Sequence, residues 1–220
     1  MPTSLTFNNL QAQIVAYLEK GGANDTTVSS YLPNIINQAE RRIARELKLL
    51  GFINPVQSNL VAGSYIVAKP SDWRQTVSIN VEYGTGSMGG TNVLWNPLLP
   101  RAQEYVRAYN RDVTVQGPPK FYADYDYGNW IIAPTPDFAY PFEVIYYQLP
   151  PLLDATTQTN WTSTYAPNLL LYSCLLECEP FIKEDERMPV WQQLYDRELA
   201  AMNGEDQNKI LDRQVTRQEV

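Results

Sequence analysis

Residues 160–206 read NWTSTYAPNLLLYSCLLECEPFIKEDERMPVWQQLYDRELAAMNGED, and this stretch decides the fold. Pro167 opens a helix in which Leu169, Leu170, Leu171, Tyr172, Cys174, Leu175, Leu176 and Cys178 leave almost no polar face. A helix apolar all round is buried on several sides. Pro180 kinks or ends it, because proline has no N–H to donate and clashes with the preceding turn. The charged run KEDER at 183–187 breaks the chain, and Pro189 restarts it. The second helix places Val190, Trp191, Leu194, Tyr195, Leu199 and Met202 on one packing side and closes at Gly204. The pair reads as a helical hairpin that packs on itself, on N-terminal helices and on copies of itself. Nothing in it has the form of an active site.

The N-terminal partners are legible by the same periodicity. Residues 5–20 carry Phe7, Leu10, Ile14, Tyr17 and Leu18 at helical spacing, with Thr6 as N-cap and Gly21-Gly22 as stop. A second helix starts at Ser29 or Ser30, accepts Pro33 in its first turn and runs to Leu50. Leu32, Ile35, Ile36, Ala39, Ile43, Leu47 and Leu50 form its stripe; Glu40, Arg41, Arg42, Arg45, Glu46 and Lys48 take the remaining faces.

Between the two helix pairs the period falls from 3.6 to 2. Strands are expected at 64–68, at 75–83 with Val77, Ile79, Val81 and Tyr83 on one side, at 92–95, and at 142–148 with Phe142, Val144 and Tyr146 alternating against Glu143, Ile145 and Tyr147. A hairpin across Tyr127-Gly128 joins 120–126 to 129–133, and Pro100 opens a short helix. The glycines at 84, 86, 89 and 90 make a flexible loop, not a phosphate loop, since no Lys-Ser/Thr follows them. Connections are too short for βαβ crossovers, so the sheet should be mainly antiparallel.

The expected fold is therefore α+β: about four helices from both ends form a bundle around an inserted β-rich domain. The boundaries are 1–52 for the N-terminal helix pair, 53–150 for the β-rich domain, 151–204 for the helical hairpin, and 205–220 for an extended C-terminal arm. The arm is polar with three isolated aliphatics, Ile210, Leu211 and Val215, too few to order it without a partner.

Composition removes whole classes of function. The chain has no histidine, which excludes Ser-His-Asp, Cys-His and every histidine general base. Cys174 and Cys178 lie one helical turn apart, too constrained for a disulfide, and without histidine they do not complete a metal site. No cofactor is expected. With 17 basic and 24 acidic side chains the net charge is −7, against a general nucleic-acid binder. No segment approaches a membrane span or a secretory signal, so the sequons at Asn24 and Asn160 are expected to be unmodified.

Several motifs carry a resemblance. They are RRIAREL at 41–47, PSDW at 70–73, GPPKFYA at 117–123, IAPTPD at 132–137, IYYQLPP at 145–151, TNW at 159–161, APNLLLY at 166–172 and EDERMPVWQQLY at 184–195. In this order the chain resembles the head-to-tail adaptor (connector) proteins of tailed bacteriophages, of the short-tailed type. The resemblance implies a non-enzymatic virion protein of the neck, assembled in the host cytoplasm into a ring of about twelve copies. Its partners would be the portal, a tail nozzle or tail-tube protein and its own copies, with genomic DNA passing through unread and no membrane involved. The arm, with Lys209, Ile210, Leu211, Arg213 and Val215, would dock on the portal. Ile35, Ile43, Leu47, Leu170, Leu171, Leu175, Trp191, Leu194 and Tyr195 would lie on the helices that pack between subunits.

Two other readings compete. A carbohydrate-binding module or glycoside hydrolase is suggested by Phe121, Tyr122, Tyr125, Tyr127, Trp130, Phe138 and Tyr140, interleaved with Asp124, Asp126 and Asp137. It requires an open cleft with two facing carboxylates. A DNA-binding regulator requires Arg41, Arg42, Arg45 and Lys48 to make one continuous basic face. Trp161 is expected to be a core anchor at the junction of sheet and helix.

Overall fold

The computed structural model describes residues 5–19, 26–83, 94–179 and 186–215. The chain divides into a helical unit, residues 1–52 and 149–220, and a β-rich unit, residues 53–148. Among the described residues there are six α-helices and two four-stranded sheets, an α+β fold.

In the helical unit, α1 (Phe7–Leu18) starts where the Thr6 hydroxyl accepts from the Asn9 N–H at 3.2 Å. It buries Phe7, Leu10, Ile14 and Leu18, whereas Tyr17, expected on that face, is exposed. The helix ends at Glu19 in the left-handed conformation (φ 55°); Gly21-Gly22 lie outside the described residues.

The helix α2 (Thr26–Glu46) starts earlier than expected, so Pro33 stands inside it and not in its first turn. An internal proline forfeits one ladder bond, at roughly 3 kcal/mol. Burial of Val28, Leu32, Ile35 and Ile36 around that position offsets the loss. The helix also stops at Glu46, and the chain turns through a 3₁₀ segment, Leu50–Phe52.

Asn160 caps α4 (Trp161–Tyr165) through a reciprocal box: its side chain accepts from Ser163 N–H at 3.0 Å, and its own N–H donates to Ser163 Oγ at 2.9 Å. The amide of this sequon is thus spent on the fold. Pro167 opens α5 (Pro167–Glu177), which lies against α1, α2, α4 and α6. Neighbours on every side explain a helix without a polar face. The Ser173 hydroxyl donates to the Ala39 carbonyl at 3.3 Å, bringing α5 close to α2. Pro180 lies outside the described residues.

The last helix, α6 (Met188–Val215), corrects two expectations. Val190 is exposed, because Trp191, Tyr195 and Met202 define a face about 100° away from it. Gly204 does not close the helix, and the backbone stays helical through Val215 where an extended arm was expected. An interior glycine costs only about 1 kcal/mol relative to alanine. It stops a helix chiefly when it turns left-handed, which Gly204 does not.

Trp161 is a further correction: it is half-buried, at the edge of the core. Its ring stands edge-on to Phe52 (5.1 Å, 72°) and covers the backbone of Gly51. A Cβ on Gly51 would collide with the indole. Gly51→Ala is therefore expected to destabilise the helical unit by about 1–3 kcal/mol. Trp161→Ala alone should cost less than the ~3–5 kcal/mol of a fully buried tryptophan. Placed together, the two should be less damaging than their sum, because removing the ring makes room for the methyl. Urea midpoints of the four chains test this, and strict additivity would refute the contact.

In the β-rich unit one sheet has the order β1-β8-β3-β4 and the other β2-β7-β6-β5. The strands are β1 (Ile53–Asn59), β2 (Ile66–Ala68), β3 (Trp73–Glu82), β4 (Trp95–Pro97), β5 (Leu99–Pro100), β6 (Phe121–Asp124), β7 (Asn129–Ala133) and β8 (Pro141–Gln148). All pairings are antiparallel except β5 with β6. Strand β1 went unforeseen because Pro55 argues against a strand; at a sheet edge the missing N–H is tolerated. In β3 a register shift between Thr76 and Ser78 turns Val77 outward, while Ile79 and Val81 stay buried. Of the two alternating sets of β8, Phe142, Val144 and Tyr146 face the core. Trp130 is fully buried and donates to Thr76 Oγ1 at 3.0 Å. Pro100 belongs to β5, and the short helix α3 begins later (Gln103–Tyr109). The glycine loop lies outside the described residues.

Candidate functional site

The residues expected on the subunit-packing helices fall inside a single chain. Ile35, Ile43, Leu47, Leu170, Leu171, Leu175, Trp191 and Tyr195 are buried, and Leu194 is half-buried. They hold α2, α5 and α6 together. Of the arm residues, Lys209, Ile210, Leu211, Arg213 and Val215 lie on the helical backbone of α6, and their side chains lie outside the described residues.

Where α2, α5 and α6 meet, polar groups are paired off. Arg42 Nε donates to Glu46 Oε1 at 3.1 Å, and its Nη1 donates to Glu177 Oε1 at 3.4 Å. Its guanidinium lies 4.8 Å from the centre of the Tyr195 ring, whose hydroxyl donates to Glu46 Oε2. Burial and the neighbouring Glu46 hold the Tyr195 hydroxyl protonated. Arg42 is thereby withdrawn from the continuous basic face that a DNA-binding regulator needs, leaving Arg41, Arg45 and Lys48 exposed without it.

Beside this network Glu40 is 5% exposed. Its Oε2 accepts from the Leu153 N–H at 2.9 Å and its Oε1 from the Asn160 amide. Asn160 also donates to the Pro151 carbonyl at 2.9 Å. One carboxylate thus fastens the 150–160 connection to α2. Burial pushes its pKa up to about 7, against the downward pull of the Leu153 and Asn160 hydrogen bonds. Sequence periodicity gave no sign of this, because Glu40 sits among solvated charges in the chain.

The three carboxylates of the carbohydrate reading serve separate local roles. Asp124 pairs with Lys69 Nζ at 2.6 Å. Asp126 Oδ1 accepts from Gly128 N–H at 2.7 Å and closes the β6–β7 turn. Asp137 Oδ1 accepts from the Tyr140 hydroxyl at 2.7 Å. A groove of about 230 Å³ beside Trp73 is lined by Asp124 alone among carboxylates, and not by a facing pair. Cys174 and Cys178 are buried free thiols, with burial pushing Cys178 up to about 12. Among the described residues no cluster of His, Cys, Asp and Glu is placed to hold a metal, and no helix is long and apolar enough to cross a membrane.

The surface that sequence reading missed is on the β-rich unit. The helix α3 buries only Val106. Tyr105 and Tyr109, four residues apart, stack with centroids 6.4 Å apart at 17°, and both stand edge-on to Phe121 at 5.4 and 4.9 Å. The Arg101 guanidinium lies within 6 Å of the Tyr105 and Phe121 rings, and that of Arg107 is 5.5 Å from the Tyr125 ring. Leu99, Tyr105 and Tyr109 are each nearly half exposed. The available signal was the Tyr-x-x-x-Tyr spacing on a helix with a single apolar anchor.

Against known protein families, residues 5–218 match the model described as SU10 adaptor protein. No curated protein matches the sequence.

Proposed function

The chain belongs to the SU10 adaptor protein family, and from that premise we propose that it forms a ring between the portal and the tail of a bacteriophage. As a phage adaptor it is a structural protein of the virion neck. In this proposal about twelve copies close a cyclic ring through one repeated head-to-tail contact. The upper face receives the portal, the lower face a nozzle or tail-tube protein, and the genome passes through the centre. Assembly takes place in the host cytoplasm on a filled head.

One observation carries the docking role. The helix α6 has 28 residues and its hairpin partner α5 has 11. At 1.5 Å per residue these are roughly 42 and 17 Å long, so α6 can lie along α5 for less than half its length. In this proposal residues 209–215 belong to the portion that outruns its partner, suited to a socket on another protein. The contact proposed is a helix laid in a groove and not an extended arm. The acidic balance fits a channel that lets DNA through, since fixed cations would add phosphate contacts and slow its passage.

Native mass of the purified chain, alone and mixed with the portal from the same genome, tests the proposal. A 25.1 kDa species that becomes a closed multi-copy ring on the portal is the expected result. A chain that ignores the portal would overturn it.

A further inference from the structure

We propose that the aromatic and arginine face of α3 is the contact by which one copy grips the next, an inference that rests on the ring reading above. The face is already organised in the free chain. Two stacked tyrosines stand on Phe121, and the flanking Arg101 and Arg107 guanidinium groups lie against rings. Side chains held in this way lose little freedom on binding. Tyrosine and arginine are also the residue types that dominate binding energy at protein interfaces.

Charge selects the occupant. Residues 99–120 hold four basic side chains, Arg101, Arg107, Arg111 and Lys120, against two acidic ones, Glu104 and Asp112, in a chain whose net charge is −7. The segment is a basic patch (+2) on an acidic protein, as residues 41–48 of the helical unit also are, and the remainder of an identical chain, at −9, is complementary to it. A head-to-tail ring needs this kind of asymmetry: a patch on one flank and its complement elsewhere on the same surface. DNA would also be attracted to the cations. However, the arginines lie against rings, and Leu99, Val113 and Val115 are exposed beside them, an apolar content that suits a packed protein surface.

The test compares the full-length chain with the double variant Arg107→Glu, Tyr109→Ala, each mixed with the portal. Both side chains lie on the surface, so the variant should stay folded, with a melting temperature lowered by no more than several degrees for the lost ring contacts. The expected result is that the variant still binds the portal but needs about tenfold or more higher concentration to close a ring, as seen by native mass. Rings formed at the parent's concentration would overturn the inference and leave the ring reading standing. A parent that binds the portal without closing a ring would instead sink the ring reading. Titration with a short DNA duplex provides the third arm: binding by the parent that the variant loses would assign the face to DNA and overturn the proposal.

Discussion

A chain cut after Gln207 is expected to keep the helical unit folded and to lose its binding to the portal altogether. The place of the cut follows from one hydrogen bond. Asp206 Oδ2 accepts from the Leu50 N–H at 2.6 Å, tying α6 to the 3₁₀ turn that follows α2. A chain ending at Gly204, where the sequence alone puts the boundary, removes that acceptor as well as the docking segment. An orphaned, partly buried N–H costs about 1–3 kcal/mol, which in a chain of this size lowers Tm by several degrees. Co-sedimentation with the portal and thermal melting separate the two effects. Both truncated chains should fail to bind, and only the shorter one should melt early. Full portal binding by the chain ending at Gln207 would move the docking site out of residues 208–220.

The contrast between these cuts illustrates what was legible in the sequence. The stripes of α1, α2 and β8 could be read because burial on one face imposes a period, and Leu10, Ile14, Ile36, Ile43, Val144 and Tyr146 are buried accordingly. The apolar girth of α5 pointed correctly to neighbours on several sides. Termination was harder to read. Pro33 suggests the first turn of a helix and Gly204 the end of one, but each lies inside an otherwise favourable helix, and propensity is a weak prior against tertiary burial. Val77 was misplaced because a single register shift inverts which side chains of a strand face inward. The α3 surface was hidden for a different reason. Stacked tyrosines on a half-buried phenylalanine arise from β6 and α3 meeting in space, and no local period marks that meeting. Glu40 was hidden in the same way, its partners lying more than a hundred residues away.

That carboxylate gives the second large effect, a loss of stability as the pH rises. In the unfolded chain Glu40 ionises near its ordinary value of 4.5; in the folded chain it does so near 7. Below about 4.5 both states carry the proton and Glu40 contributes no slope. Between 4.5 and 7 the unfolded chain gives up the proton while the folded chain retains it, so each pH unit favours unfolding by about 1.4 kcal/mol. Above 7 both states are ionised and the contribution is flat, some 3 kcal/mol below its value in acid. Exposed Asp112, Asp126 and Asp154, whose pKa values are lowered by hydrogen bonds from nearby side chains and backbone N–H groups, act with the opposite sign at more acid pH. Glu40→Gln isolates the effect from theirs. The amide keeps an acceptor for one of the two donors, Leu153 N–H or Asn160, and should lower stability in acid by about 1–3 kcal/mol for the donor left unpaired. It cannot ionise, so its urea midpoints should lack the fall between pH 4.5 and 7 that the parent shows. Parallel profiles for the two chains would mean that Glu40 is ionised in the folded protein well below neutrality.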